Sequence, residues 1–485
     1  MERRNIVPNN SWRLRESDPE LDPIGSLLSE LADPKEEEEE FRRDFFIGFS
    51  GRRKKAAFVL MTIWGVTIGL HFFTWGSLAV AGCTGLIFVH AIRLVVAKSP
   101  SAPELLTDDT AAPSVSLLVA AKNEEAVIGN LVQMLCSLDY PSDKYEVWII
   151  DDNSKDNTGV ILDQLATSYP QLKVLHRQRG AVGGKSGALN QVLPLTKGDI
   201  IGVFDADATV EADLLRRVVP MFEVAQMGAV QVRKAIANAS CNFWTQGQKA
   251  EMALDSYFQQ QRMTIGGLVE LRGNGQFVRR SALNSCGGWN EETITDDLDL
   301  TIRLHLDRWK IGFLALPAVE EEGVTRAMAL WHQRNRWAEG GYQRYLDYWR
   351  SFLRHPLGWG KTWDLFSFIT IQYILPVAAL PDLFMGIARH RYPLLAPMSG
   401  LMFSISAWSM FVGLFRTRIE SKFSFTTLLS IGWQTLRGMI YMVHWLVVMP
   451  CVTARVSVRP KQLKWVKTVH EGGNAVIISK KVSHS

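Results

Sequence analysis

The apolar residues of this chain pool towards its two ends and leave a more polar middle, a distribution that constrains the fold more than any single motif. Residues 57–75 and 77–97 carry almost no charge, and after Trp363 such stretches resume at 365–386, 394–415 and 426–452. Each is about as long as the roughly 20 residues an α-helix needs to cross the hydrocarbon of a bilayer. Lipid offers no partner to an open N–H or C=O, so these stretches are restricted to helix. The expected architecture is a membrane protein with a soluble domain held between two sets of helices.

Charge gives those helices a direction. Arg52, Arg53, Lys54 and Lys55 stand immediately before the first stretch, and basic residues collect on the cytoplasmic side of membrane segments. The polar tail over 1–55, with its acidic run at 36–40, is therefore expected in the cytoplasm. Two crossings over 56–98 return the chain there, and a proline-rich linker over 99–113 leads into the middle domain. In the carboxyl-terminal membrane part, 350–453, Pro376, Pro381 and Asp382 interrupt the first segment and Arg437 the last. Each is expected to be kinked, re-entrant or partly interfacial. Three full crossings would put the basic tail, 454–485, outside, whereas Arg455, Arg459, Lys461, Lys464 and Lys467 favour the cytoplasm. Two or three crossings are expected here, and two, with one segment failing to cross, would reconcile the count with the basic tail.

The net charge of +4 over 485 residues gives no electrostatic reason to expect nucleic acid. Cys83, Cys136, Cys241, Cys286 and Cys451 are scattered without a C-x-x-C pair, which excludes a disulfide framework or a zinc site. No apolar core segment lies in the first thirty residues, so no cleavable signal peptide is expected.

From Ser114 to about 349 the pattern changes to short apolar runs alternating with longer amphipathic ones. The runs at 115–121, 145–150, 172–176, 200–204 and 228–232 read as strands. Helical stretches start near Glu124 and Ile161. Such alternation predicts βαβ units and a mainly parallel sheet. Open α/β sheets place their sites at the carboxyl ends of the strands. Two acidic motifs fall there.

Asp151-Asp152-Asn153-Ser154 follows the run 145–150. A carboxylate at that point can accept the N–H of a uracil or bond a ribose hydroxyl, while Asn153 and Ser154 can cap the next helix. Asp205 and Asp207 follow the run 200–204, and two carboxylates so spaced can share a hard divalent cation with substrate phosphates and water. Gly183-Gly184-Lys185-Ser186 is not a phosphate loop, because Arg179 stands where the first glycine is needed. A flexible turn into a helix over 188–193, with Lys185 near a nucleotide, fits better. Thr295-Asp296-Asp297 opens an amphipathic stretch; Thr295 and Asp296 suit its positive end, which leaves Asp297 as a general base. Gln333, Arg336 and Trp337 share one helical face. Arginine there can grip a diphosphate, and tryptophan offers a flat apolar surface. The neighbouring Trp331, Tyr342, Tyr345, Tyr348 and Trp349 also suit a membrane interface.

As an ordered set (DD, DAD, TDD and QRNRW) these motifs resemble glycosyltransferase family 2, in its membrane-integrated branch, over about 114–349. The resemblance implies a GT-A-like α/β fold, a Rossmann-type mixed sheet, as a cytosolic domain with flanking transmembrane helices. It also implies a UDP-sugar donor, a divalent metal (Mg²⁺, with Mn²⁺ as the alternative) and inversion at the anomeric carbon. Carried onto this chain, Asp151 or Asp152 would hold the uracil, Lys185 would lie by the nucleotide, and Asp205 and Asp207 would take the diphosphate and metal. Asp297 would be the base, and Asp296, Gln333, Arg336 and Trp337 would line the acceptor and diphosphate side. Where many members have glutamate, this chain has the shorter Asp296.

The polar tail, the Gly51-Arg52-Arg53-Lys54-Lys55 lead and Arg336-Trp337-Ala338-Glu339-Gly340-Gly341 are similar to a lipid-glucosylating branch of the family. That implies transfer of glucose from UDP-glucose to diacylglycerol in the bilayer, with membrane lipids around it. The alternative is a processive β-glycan synthase, for which a tryptophan platform would suit a growing sugar chain. A membrane scaffold with a decayed transferase domain is disfavoured by the presence of every acid the mechanism needs.

Overall fold

The computed structural model describes residues 52–98, 104–354, 357–418 and 424–458. Nearly all of the amino-terminal tail, part of the linker and most of the basic tail fall outside them. Helix α1 (Arg52–Leu70) begins within the basic run, and α2 (Gly76–Val96) follows after a short turn. The Arg52 guanidinium is buried against Asp347, with Nε 2.7 Å from Oδ1, and Lys55 Nζ donates to the carbonyl of Leu346 at 3.1 Å. Burying a guanidinium requires such a two-pronged partner. The start of α1 is therefore pinned beside residues 346–347.

The middle domain runs β1 (Val115–Ala121), α3 (Ile128–Cys136), β2 (Tyr145–Asp151), α4 (Thr158–Ser168), β3 (Leu172–His176), α5 (Gly184–Val192) and β4 (Ile200–Phe204). It continues with β5 (Met227–Ile236), α6 (Phe243–Ile265), β6 (Gln276–Arg279), α7 (Asp296–Leu306) and β7 (Lys310–Glu321). One seven-stranded sheet has the order β3-β2-β1-β4-β6-β5-β7. Only β6 runs against its neighbours β4 and β5. All five strands read from the sequence are present, and the sheet is of the mixed, GT-A-like type.

Successive residues of β1 feed two different cores, as a period of two requires. Leu117 and Val119 join Ile149, Phe204 and Val230 under α3 and α4, while Leu118 joins Ile150, Ile201 and Val203 under α5 and α7. Burial on both faces explains why the central strands are continuous apolar runs. β6 and β7 escaped the sequence reading for the opposite reason. The first is four residues with a polar residue at each end; the second is broken by Gly312 and Pro317, which an edge strand tolerates.

The carboxyl-terminal part opens with α8 (Ala327–Arg354), a 28-residue amphipathic helix that carries the QRNRW sequence. Next come α9 (Trp359–Ile369), a π-helical turn (Thr370–Ile374), α10 (Leu375–Ala388), α11 (Ala396–Arg416), α12 (Phe425–Met442) and α13 (Trp445–Val458). The π turn ends two residues before Pro376, whose missing N–H and ring displace the regular ladder. Among the described residues four helical stretches are long and apolar enough to cross a membrane: Gly76–Val96, Trp359–Ala388, Ala396–Arg416 and Phe425–Val458. In α1 the basic start leaves a shorter apolar part. Buried Asp382 joins two turns at the end of the bundle remote from α8: it accepts from His71 Nε2 at 2.8 Å and from the N–H groups of Leu394 and Leu395 at 2.8 and 3.0 Å.

Helix α11 meets α6 backbone to backbone, with no room for a Cβ at Gly413 against the carbonyl of Ala253. Small residues permit such close approach between helices in lipid. Gly413→Ala should therefore lower stability by about 1–3 kcal/mol through overpacking. Gly400→Ala, with nothing within 4 Å of its Cβ position, should not. Thermal unfolding of the two variants in detergent tests the difference.

Candidate active site

The carboxyl ends of β2 and β4 bring Asp152 and Asp205 to one edge of the sheet, where they line a cleft of about 1440 Å³. That is larger than the roughly 300–1,000 Å³ of ordinary small-molecule sites. Lys185, Asp207, Asp296, Asp297, Gln333, Arg336 and Trp337 share its walls. Of the residues that the family resemblance assigns to the site, Asp151 alone does not line it. Asp151 is the last residue of β2 rather than part of the loop, and its carboxylate is turned to His176 Nδ1 and the N–H of Ser154, both at 3.0 Å. Asp152 faces the cleft, held by Arg177 Nη1 at 2.6 Å. Nor do Asn153 and Ser154 cap a helix: α4 starts only at Thr158, and Asn153 takes a left-handed turn at φ 59°.

Lys185 stands in the first turn of α5, which begins earlier than the sequence suggests, and its ammonium pairs with Asp205 Oδ1. Burial would strip its proton, but Asp205 and Asp296 more than offset this and hold its pKa above the ordinary value. Asp207 Oδ2 accepts from the N–H of Glu322 at 3.1 Å. Among the described residues no three His, Cys, Asp or Glu side chains converge as a ready metal cage. Asp205 and Asp207 offer hard oxygen donors only, the set that suits Mg²⁺ or Mn²⁺ when phosphate oxygens and water complete the shell.

Asp296 and Asp297 open α7 in the deep part of the cleft. Burial, then the charge of Asp296, pushes the Asp297 carboxyl up to about 6, although the N–H of Leu298 donates to its Oδ1 at 2.8 Å. Asp296 is raised as well, by burial, against the pull of Lys185. Thr295 occupies the cap position without making the capping bond. Its hydroxyl is buried against Gly340, where there is no room for a Cβ, and has no hydrogen-bond partner. Contact with α8 thus overrides local capping.

Gln333, Arg336 and Trp337 do share the cleft face of α8, while Arg334 is fully buried behind them. It pairs with Glu251 of α6, donates to Tyr441 Oη at 3.0 Å and lies 4.0 Å over the Trp337 ring. Several cleft residues were missed from sequence. Lys234 pairs with Glu321 at 2.7 Å and approaches Trp337 at 5.7 Å. Glu270 is buried among Arg344, Arg272 and Arg262, at 2.6, 2.9 and 4.0 Å. Lys234 and Glu321 lie towards the ends of β5 and β7, so recognising β7 would have indicated both. The arginine cluster comes from separate elements and has no sequence signal.

Beyond Asp297 the cleft continues without a partition between apolar walls. Leu94 of α2, Phe258 of α6, Phe403 of α11, Met439 of α12 and Met449 of α13 belong to them. One end of the cavity is charged and the other suits hydrocarbon.

Residues 112–340 match the family described as glycosyltransferase-like family 2. The chain is 61% identical over 468 residues to a beta-monoglucosyldiacylglycerol synthase of Synechocystis sp., covering 96% of this chain and 97% of that one. It is 59% identical, over 96% and 99% of the two chains, to the protein of the same name from Trichormus variabilis. In fold it is similar to a mannosyltransferase of Pyrobaculum calidifontis solved with GDP-Man and Mn²⁺, at a TM-score of 0.50 and 20% identity, covering 79% of this chain and 99% of that one.

The three arginines hold the Glu270 carboxylate down at about 2 against the upward pull of burial. A depressed acid contributes its stability above its unfolded pKa, near 4.3, and loses it as pH falls through about 2, so the pairing is fully in force at neutral pH. Glu270→Gln leaves the guanidinium groups unbalanced and should cost about 3–5 kcal/mol at pH 7. Loss of thermal stability in detergent is the readout.

Proposed function

This chain belongs to glycosyltransferase-like family 2, and on that premise we infer that it moves glucose from UDP-glucose to the free hydroxyl of 1,2-diacylglycerol. The product is 3-β-D-glucosyl-1,2-diacylglycerol, the step named for the relatives from Synechocystis sp. and Trichormus variabilis. One observation carries the acceptor assignment: a single cavity joins the carboxylate and lysine cluster to walls built by apolar helices. A glycerol hydroxyl can reach Asp297 from there while its acyl chains stay among apolar side chains. The same observation supports a membrane-seated enzyme whose catalytic domain faces the cytoplasm, as the basic start of α1 favours.

In this reading Asp152 binds the uridine, a role supported by its place on the cleft wall, and Lys185 and Arg336 set positive charge around the diphosphate. Asp205 and Asp207 would hold Mg²⁺ or Mn²⁺, which when bound neutralises charge on the departing diphosphate. Asp297 takes the proton of the acceptor hydroxyl as that oxygen bonds to the anomeric carbon. The bond from that carbon to the β-phosphate oxygen breaks with its electron pair on UDP. A single displacement turns the α-linked donor into a β-linked product.

The processive alternative relies on Trp337 as a platform for a sugar. Arg334 already occupies one face of that ring at 4.0 Å, and the apolar continuation of the cleft supports the lipid reading. Purified protein given labelled UDP-glucose and diacylglycerol should yield a chloroform-soluble, single-sugar product. Polymer retained at the chromatographic origin would overturn the assignment.

Asp297→Asn should reduce turnover by about 10²–10⁴-fold, the usual contribution of a general base. Because the base must be ionised to accept a proton and its pKa is raised to about 6, kcat/KM of the wild type should fall as pH drops below about 6. An inflection near 4 would remove Asp297 from that role.

A further inference from the structure

By composition the stretch Phe425–Val458 qualifies as a membrane span, yet its contacts keep it on one side. Helix α11 returns to the catalytic domain: Gly413 abuts Ala253, and Arg416 lies 5.2 Å over the Tyr257 ring, both on α6. Helix α12 starts eight residues after Thr417 and ends back on α6. There Met439 packs with Ala250 and Leu254, and the Tyr441 ring closes on Gly247. The end of α11 and the carboxyl-terminal half of α12 therefore lie near the same helix of the catalytic domain. Its exposed stripe of Leu429, Trp433, Leu436 and Ile440 faces outwards. Side chains four, three and four residues apart lie on one helical face, which suits the acyl chains of one leaflet.

Helix α13 then begins at the catalytic domain too, where Trp445 Nε1 donates to Glu251 Oε1 at 2.8 Å. Its 14 residues extend about 21 Å, short of the roughly 30 Å of a hydrocarbon core. Near its far end Thr453 bonds Tyr342 and Arg455 Nη2 donates to Glu339 Oε2 at 2.9 Å, both on α8. Arg459, Lys461 and Lys464 follow in the sequence and would be costly to bury in lipid.

We propose that Phe425–Val458 is a re-entrant helix pair lying in the leaflet on the catalytic-domain side, where it walls the cleft with Met439, Leu446 and Met449 and meets acyl chains with its exposed stripe. The described crossings are then α1, α2, the α9–α10 stretch and α11. Their even number brings the basic carboxyl-terminal residues to the side of Arg52–Lys55 and removes the conflict with the positive-inside rule. The assignment holds whatever acceptor the enzyme uses.

The full chain with a carboxyl-terminal epitope, in sealed vesicles of each orientation, provides the test. Where the catalytic domain faces outwards, trypsin should remove the epitope together with that domain. In vesicles of opposite sidedness both should survive. An epitope protected while the catalytic domain is digested, and lost in the reverse orientation, would mean an odd number of crossings and overturn the proposal. A second epitope inserted at residue 392, in the turn between α10 and α11, should show the reverse protection. Cleavage of that epitope on the catalytic side would overturn the count of crossings.

Discussion

Everything else in this molecule depends on a chain of paired charges that fastens the catalytic domain to the membrane helices. Glu270 sits among Arg262, Arg272 and Arg344, and Arg262 Nε lies 3.4 Å from Asp364 of α9. Asp364 in turn contacts His90 Nε2 of α2 at 3.0 Å and accepts from the N–H of Leu268 at 2.8 Å. Charges so deeply buried are costly unless they are paired, which restricts where each of these side chains can sit. The network joins α2, α6, α8 and α9 at fixed relative positions. That is what aims the carboxyl ends of the strands at the apolar helices.

Burial also sets the chemistry of the cleft. Desolvation raises Asp297 towards neutrality and gives the proposed base a pKa close to its working range. It has the opposite outcome at Lys185, where facing carboxylates retain the proton that burial would remove. The two groups differ in their neighbours, Asp297 beside a like charge and Lys185 between opposite ones. Polar and apolar halves of one cavity thus follow from which elements line it: strand ends and α7 above, membrane helices below.

Local strain on sequence rules marks where tertiary contacts dominate. Thr295 gives up its capping bond to pack under Gly340. Arg334, to which the QRNRW motif by itself assigned no role, is a fully buried tie between α6, α8 and α12. The pair of acids after β2 is split, Asp151 serving the fold through His176 and Asp152 facing the cleft.

By itself the sequence determined the apolar stretches on either side of a polar middle, five strands of the sheet and the motif acids at the polar end of the cleft. Those depend on local signals: uncharged length, apolar runs, and carboxylates placed just after strands. The antiparallel β6, the edge strand β7 and the cluster around Glu270 were decided only by tertiary structure, because their residues are too few or too far apart in the chain to leave a period. The side on which Phe425–Val458 ends belongs to the same class. Hydropathy measures whether a segment tolerates lipid, whereas crossing depends on where it is anchored, and here Trp445 is held by α6 and Arg455 by α8.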